Sequence, residues 1–353
     1  MAPPMTARAL AASSRRIDLR SDTVTRPTRA MLTAMAHADL GDDYYGEDPT
    51  VLRLQEVMAE QLGKEASLLF PSGTMANLAA QLTHTRGGAI IAREDSHTIR
   101  SELGGYARIT GLALVSVEGN PAPLSVQDYE SAMDVAISRR IRPSLLWVDQ
   151  PSQGYVTPLS ELADLHQLAG KREIPMHLDG ARIFNAAAFL GVAASAVARH
   201  TDTVMVSLSK GLGAPVGSVL AGSQDFVDDA RTWRQMLGGG MRQAGVIAAA
   251  GIHALTHNVK RLQCDHDLAR QIAQELAGIP GLLIDRTDVQ TNIFFVSVGA
   301  SQVEFVEHLR RGLVLVNPPQ PDANSIRIVT HLDVHDSDLP QIFSSFRAAA
   351  NAV

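Results

Sequence analysis

Two periods of apolar and polar residues alternate along this chain, and the switches between them lay out its elements. Short β-branched or aliphatic runs at 66–70, 89–92, 112–116, 144–148, 176–178, 203–207 and 218–221 read as strands. Between them, apolar residues recur at helical spacing over 50–62, 75–83, 159–170 and 245–257. Many of the strand runs are apolar on both faces, as a sheet covered on both sides requires. The alternation therefore predicts an α/β fold, a mostly parallel seven-stranded sheet lying between helices. Past about residue 260 the order changes. A helix over 264–277, strands over 291–298, 312–316 and 325–329, and helices over 303–311 and 337–350 predict a smaller α+β domain. The expected organisation is a disordered tail over 1–16, a large domain over 17–260 and a C-terminal domain over 261–353.

Composition narrows the partners. At 353 residues, 45% hydrophobic and 19% charged, the chain has the balance of a globular protein with a large core. A net charge of −6 argues against a nucleic-acid or acidic-membrane partner. No apolar run reaches the roughly 18 residues a membrane helix needs. The lone cysteine, Cys264, permits no intrachain disulfide, fits a reducing, cytoplasmic setting, and reads as a packing residue. The first sixteen residues hold Arg, Ser and Ala without an acid, a composition shared by transit peptides and by plain N-terminal tails. No histidine spacing suggests a metal site.

The chemistry concentrates at predicted strand ends, where open α/β sheets bind ligands. Lys210 follows the apolar run 203–207 and precedes a glycine-rich turn, which places it in a cleft. Desolvation there favours the neutral amine, the form that attacks an aldehyde to make a Schiff base. Another run ends at Asp179, 31 residues upstream. An acid and a lysine on neighbouring strand ends suit pyridoxal phosphate, since the acid keeps the pyridine nitrogen protonated while the lysine holds the aldehyde. Ser72, Gly73 and Thr74 sit between a strand and a helix and can direct N–H groups and a hydroxyl at a phosphate; taken alone, an ordinary helix cap is the favoured account of them. Ser207 can add a hydroxyl to the same anion. His97, just after a strand, can stack on a flat ring and act as a base, although a loop histidine is commonly only solvated. Arg327 lies inside an alternating strand, where it serves either a structural salt bridge or, with Ser21, a substrate carboxylate.

In this order the motifs resemble the low-specificity L-threonine aldolases, pyridoxal phosphate lyases of the aspartate-aminotransferase fold (fold type I). The matches are DLRSDTVTRPT (18–28), GDDYYGEDPT (41–50), PSGTMAN (71–77), DSH (95–97), HLDGAR (177–182), SLSKGLGAPVGS (207–218), LGGGMRQAG (237–245) and IRIVTH (326–331). The resemblance implies cleavage of a β-hydroxy-α-amino acid to glycine and an aldehyde. It implies that Lys210 carries the cofactor, Asp179 meets the pyridine nitrogen, His97 stacks on the ring, and Gly73 and Thr74 hold the phosphate. Ser21, Arg182 and Arg327 would hold the substrate carboxylate. It further implies a homodimer or homotetramer with shared active sites, in which Tyr45 and Arg242 reach a neighbour's cofactor and segment 17–50 serves both the site and the interface.

Two segments depart from the family. Where it usually has Glu-Asn-Thr-His, this chain has Val148-Asp-Gln-Pro-Ser-Gln-Gly154, and the aromatic expected after DSH is replaced by Arg100-Ser101. Both changes fall where a substrate's β-substituent would lie. The expected substrate is therefore threonine, allo-threonine or a bulkier analogue such as phenylserine, with His97 or an ordered water as base. A related β-eliminating lyase, transaldolase or racemase is the alternative, and a non-catalytic cofactor-binding protein a third.

Overall fold

In the computed structural model, which describes residues 15–119, 125–284, 288–299, 301–318 and 325–353, all seven runs expected as strands pair into one sheet. After a short β1 (Ile17–Asp18), which lies elsewhere, they are β2 (Ala66–Phe70), β3 (Ala89–Arg93), β4 (Ala113–Val117), β5 (Pro143–Asp149), β6 (Met176–Asp179), β7 (Thr203–Ser207) and β8 (Ser218–Gly222). The sheet order is β2-β8-β7-β6-β5-β3-β4. Strand β8 runs antiparallel to both of its neighbours, and the other adjacent pairs are parallel. Every strand but β8 thus ends on one edge.

The double covering inferred from the sequence is visible in successive side chains. Leu68, Phe70, Met205 and Leu220 pack on the helices Gly73–His84 and Gln224–Met236. Leu69, Val206, Val219 and Ala221 point the other way, into a cluster with Leu54, Met58 and Ala248. The hydrophobic period of two in β2 therefore fills two separate cores, a consequence of side chains alternating across a strand.

Four helices of this unit lie outside the ranges expected from the sequence: Arg29–Ala36, Val126–Ser138, Ile183–Leu190 and Gln224–Met236. Ile183–Leu190 is apolar nearly all round, so it has no polar stripe to mark its face. Val126–Ser138 did leave a local signal, because the Asp128 carboxylate accepts both the N–H and the hydroxyl of Ser125, a helix start.

Contacts divide the chain into two units, Thr25–Cys264 and a second formed by residues 15–24 with Asp265–Val353. In the second, β1 pairs in parallel with β11 (Val314–Leu315), and β9 (Leu282–Ile284), β10 (Ile293–Val298) and β12 (Ser325–Val329) form an antiparallel sheet in the order β12-β10-β9. Residues 17–24, expected in the large domain, pack with this unit instead. The Val329 N–H donates to the Leu19 carbonyl at 2.9 Å, and Ile17 and Leu19 are buried with Phe294, Phe305 and Phe346. Cys264 is a second correction: it is exposed on the helix Leu262–Leu276 and fills no core. The expected tail lies outside the described residues up to residue 14.

Candidate active site

The shared edge of the large sheet collects the ends of β2, β3, β5, β6 and β7. After β2 the chain turns at Pro71, and Ser72 caps the helix Gly73–His84, its hydroxyl accepting the Met75 N–H at 3.2 Å. The cap reading and the anion reading coexist, because the remaining first-turn N–H groups and the positive end of the dipole stay open. Ser72 and Thr74 are exposed and Gly73 is half-buried. Ser207, at the end of β7, is buried, with its hydroxyl 3.5 Å from that of Ser209.

A residue that the motifs did not single out completes this corner. Ser218 opens β8 opposite both Phe70 and Ser207, and its buried hydroxyl has no hydrogen-bond partner among the described residues. A Cβ placed on Gly73 would stand 3.4 Å from that oxygen and 3.3 Å from the Met205 methyl. An orphaned buried hydroxyl beside open N–H groups is a corner built for an anion, so the residues present fit the phosphate of the cofactor that the motifs imply.

Asp179 ends β6 and is buried. Its Oδ2 accepts from Asn77 Nδ2 at 2.9 Å and its Oδ1 from the Ala181 N–H at 3.1 Å. The glycine that follows is required by space: a Cβ on Gly180 would come within 3.0 Å of the Met205 carbonyl oxygen. His97 begins a short helical turn after β3. Its N–H donates to Asp149 Oδ2 at 3.0 Å, while Asp149 Oδ1 accepts from the Ser96 hydroxyl at 3.1 Å and the Trp147 indole at 3.0 Å. The His97 Nδ1 is 3.0 Å from Glu102 Oε1. That hydrogen bond, aided by the charge of Asp179, holds the imidazole above its ordinary value against burial and the Lys210 charge. Burial, and then the charge of Asp179 on the neighbouring strand, push the Asp149 carboxyl up.

Lys210 is half-buried just beyond β7. Its carbonyl accepts the Gly213 N–H at 2.8 Å, which fixes the turn, and the Thr25 hydroxyl lies 3.5 Å from the same oxygen. The 150–157 loop, where the family's histidine is missing, is closed on itself. The Gln150 N–H donates to the Asp179 carbonyl at 2.8 Å, and its buried amide makes two bonds to the backbone of Thr157, at 2.9 and 3.0 Å.

Arg182 is half-buried at the start of the helix Ile183–Leu190. Tyr45 and Arg242 belong to a second group on the same unit, and both are exposed. The Asp43 N–H donates to the Arg242 carbonyl at 3.0 Å, and the Arg242 guanidinium stands 4.9 Å over the Tyr44 ring, which meets Tyr45 edge-on at 5.1 Å. A buried ion pair between Asp43 and Arg234, 2.7 Å apart, anchors this loop. In the smaller unit, the Ser21 hydroxyl accepts from the Thr23 N–H at 3.2 Å and the Thr23 hydroxyl at 2.9 Å. Arg327 occupies the half-buried face of β12, opposite Phe295.

Comparison with known proteins shows the family and the fold. Residues 18–298 match the beta-eliminating lyase family. The low specificity L-threonine aldolase of Escherichia coli K12 is 42% identical over 340 residues, covering 94% of this chain and 98% of that one. Low-specificity L-threonine aldolase 1 of Arabidopsis thaliana is 38% identical, with 95% and 96% covered. Among solved structures, the fold of Leishmania major threonine aldolase superposes with a TM-score of 0.81 at 19% identity, over 95% of this chain and 99% of that one. With its lysine and acid at neighbouring strand ends and this likeness along nearly its whole length, the chain belongs to the low-specificity L-threonine aldolases, pyridoxal phosphate-dependent lyases of fold type I.

Proposed function

We propose that the chain cleaves a β-hydroxy-α-amino acid, threonine or allo-threonine or a bulkier analogue such as phenylserine, to glycine and an aldehyde. The observation that carries this reading is the buried Asp179 carboxylate at a strand end, in one cluster with His97, on the sheet edge beyond which Lys210 follows β7. Pyridoxal phosphate, when bound, supplies a ring that accepts the electron pair left on Cα as the Cα–Cβ bond breaks. The Lys210 amine would hold its aldehyde, and Asp179 would meet its pyridine nitrogen. Ser72, Gly73, Thr74 and Ser207 bind its phosphate through hydroxyls and N–H groups. Arg182 would take the substrate carboxylate, the role that the resemblance also implies for Arg327 and Ser21. His97, directly or through a water, takes the proton of the β-hydroxyl.

Tyr45 and Arg242 serve a neighbouring subunit's site in a homodimer or homotetramer. Their exposure, beside exposed Tyr44, Leu40 and Met236, supports that reading. No helix among the described residues is long and apolar enough to cross a membrane, and we place the enzyme in the cytoplasm.

The test is to load the purified chain with pyridoxal phosphate and supply threonine, allo-threonine, phenylserine and serine. Glycine plus aldehyde is the expected outcome, and Lys210→Ala should abolish both turnover and the visible absorbance of the bound cofactor. An unchanged spectrum in that variant would sink the assignment. A closed 150–157 loop without a histidine favours one competitor, β-elimination, which would appear as pyruvate and ammonia from serine.

A further inference from the structure

Two side chains at the sheet edge have no part in the reading above. Asn77 is fully buried on the helix Gly73–His84, and the Glu102 side chain is shut off from solvent. The amide nitrogen of Asn77 donates one hydrogen to Glu102 Oε1 at 2.8 Å and its other hydrogen to Asp179 Oδ2 at 2.9 Å. The same Glu102 oxygen is 3.0 Å from His97 Nδ1. An ionised carboxylate can only accept, so His97 supplies Nδ1–H, and Nε2 keeps its lone pair in the neutral ring. An unbroken chain of three hydrogen bonds therefore joins the acid of β6 to the imidazole.

We infer that Asn77 and Glu102 are positioning residues that fix which nitrogen of His97 carries the proton and tie its protonation to the charge on Asp179. The inference rests on the roles proposed above for His97 and Asp179. Geometry makes the coupling strong. Glu102 and Asp179 are both buried and both acidic, and the Asn77 amide sits between them with a donor for each, so it links the two acids and, through Glu102, the imidazole. The charged groups facing the imidazole are Glu102 and Asp179, which favour its cation, and Lys210, which opposes it. Asp149 acts on the same residue from behind by holding its backbone N–H.

The test compares wild type, Glu102→Gln and Asn77→Leu as cofactor-loaded full-length enzymes. For each, kcat/KM and the visible absorbance of the bound cofactor are followed against pH, and the cofactor Kd is measured. Glu102→Gln keeps size and an acceptor oxygen but loses the charge. Its acid limb should move down by about one pH unit, and the absorbance midpoint should fall with it, while the Kd changes less than about threefold. Asn77→Leu has no hydrogen bond to the imidazole to lose, yet it should shift the limb too, because Glu102 and Asp179 then lose the donor that bridges them. Loss of the limb in His97→Asn identifies it as the imidazole's. A limb and midpoint that stay put in either variant overturn the coupling. A wild type with no visible band and no cleavage would instead refute the underlying reading. Should one replacement fail to fold, the other still decides.

Discussion

A charged side chain inside a sheet does what its immediate neighbours allow, and Arg327 illustrates how much of this site is settled residue by residue. It lies between Ile326 and Ile328, both buried in the core, on the half-buried face of β12. Replacing it by leucine leaves that core untouched while removing two donors suited to a carboxylate. Arg327→Leu should raise KM by about tenfold or more with the cofactor still bound, so wild-type kinetics would refute the clamp. At this scale the sequence was informative where a residue ends an apolar run: Lys210 and Asp179 could be located because strands stop there. Asn77, Glu102 and Ser218 left no such mark, while Asp149, which ends β5, did. Asn77 and Glu102 sit on a helix and in a turn, and only the approach of separate segments, 25 and 102 residues apart along the chain, gives their polar atoms partners.

Elements owe their starting points to a few side chains, and Asp48 carries an unusual share. Its Oδ1 accepts the N–H groups of Thr50 and Val51 at 3.1 and 3.0 Å, capping the helix Pro49–Leu62. Its Oδ2 accepts the Gly245 N–H at 2.8 Å, where the helix Gly245–His257 begins, and that of Gly41 at 3.3 Å. One buried carboxylate thus fixes two helix starts and the loop that carries Tyr45. Asp48→Ala should cost about 3 kcal/mol, a lost cap plus buried donors left unpaired. Urea unfolding measures this, and a loss below about 1 kcal/mol would refute the shared-cap role. The helix 50–62 was legible from its period. The second use of Asp48 was not, since Gly245 lies far along the chain.

For the molecule as a whole, the buried histidines make stability depend on pH. His84 and His177 share the Thr203 hydroxyl, at 2.7 and 2.9 Å. Burial depresses His84 from 6.5 to about 4 and holds His177 well below its ordinary value. The unfolded chain therefore binds protons that the folded chain refuses. The neutral rings contribute their full stability above pH 6.5 and lose it as pH falls toward 4. From His84 alone this should lower the unfolding free energy by about 2 kcal/mol between those limits. His84→Gln should flatten that slope, and an unchanged slope would show that other groups set it. The sequence by itself determined the strands, the double covering of the sheet and the edge at which Lys210, Asp179, His97 and Gly73 meet, because hydrophobic periods and strand ends are local properties. It also carried the family, through motifs kept in order. Only the tertiary structure decided that residues 17–24 join the smaller unit, that Cys264 faces solvent and that Asn77 and Glu102 join Asp179 to His97. Those outcomes depend on which distant segments touch, and a hydrogen bond across the fold leaves no period in the chain that makes it.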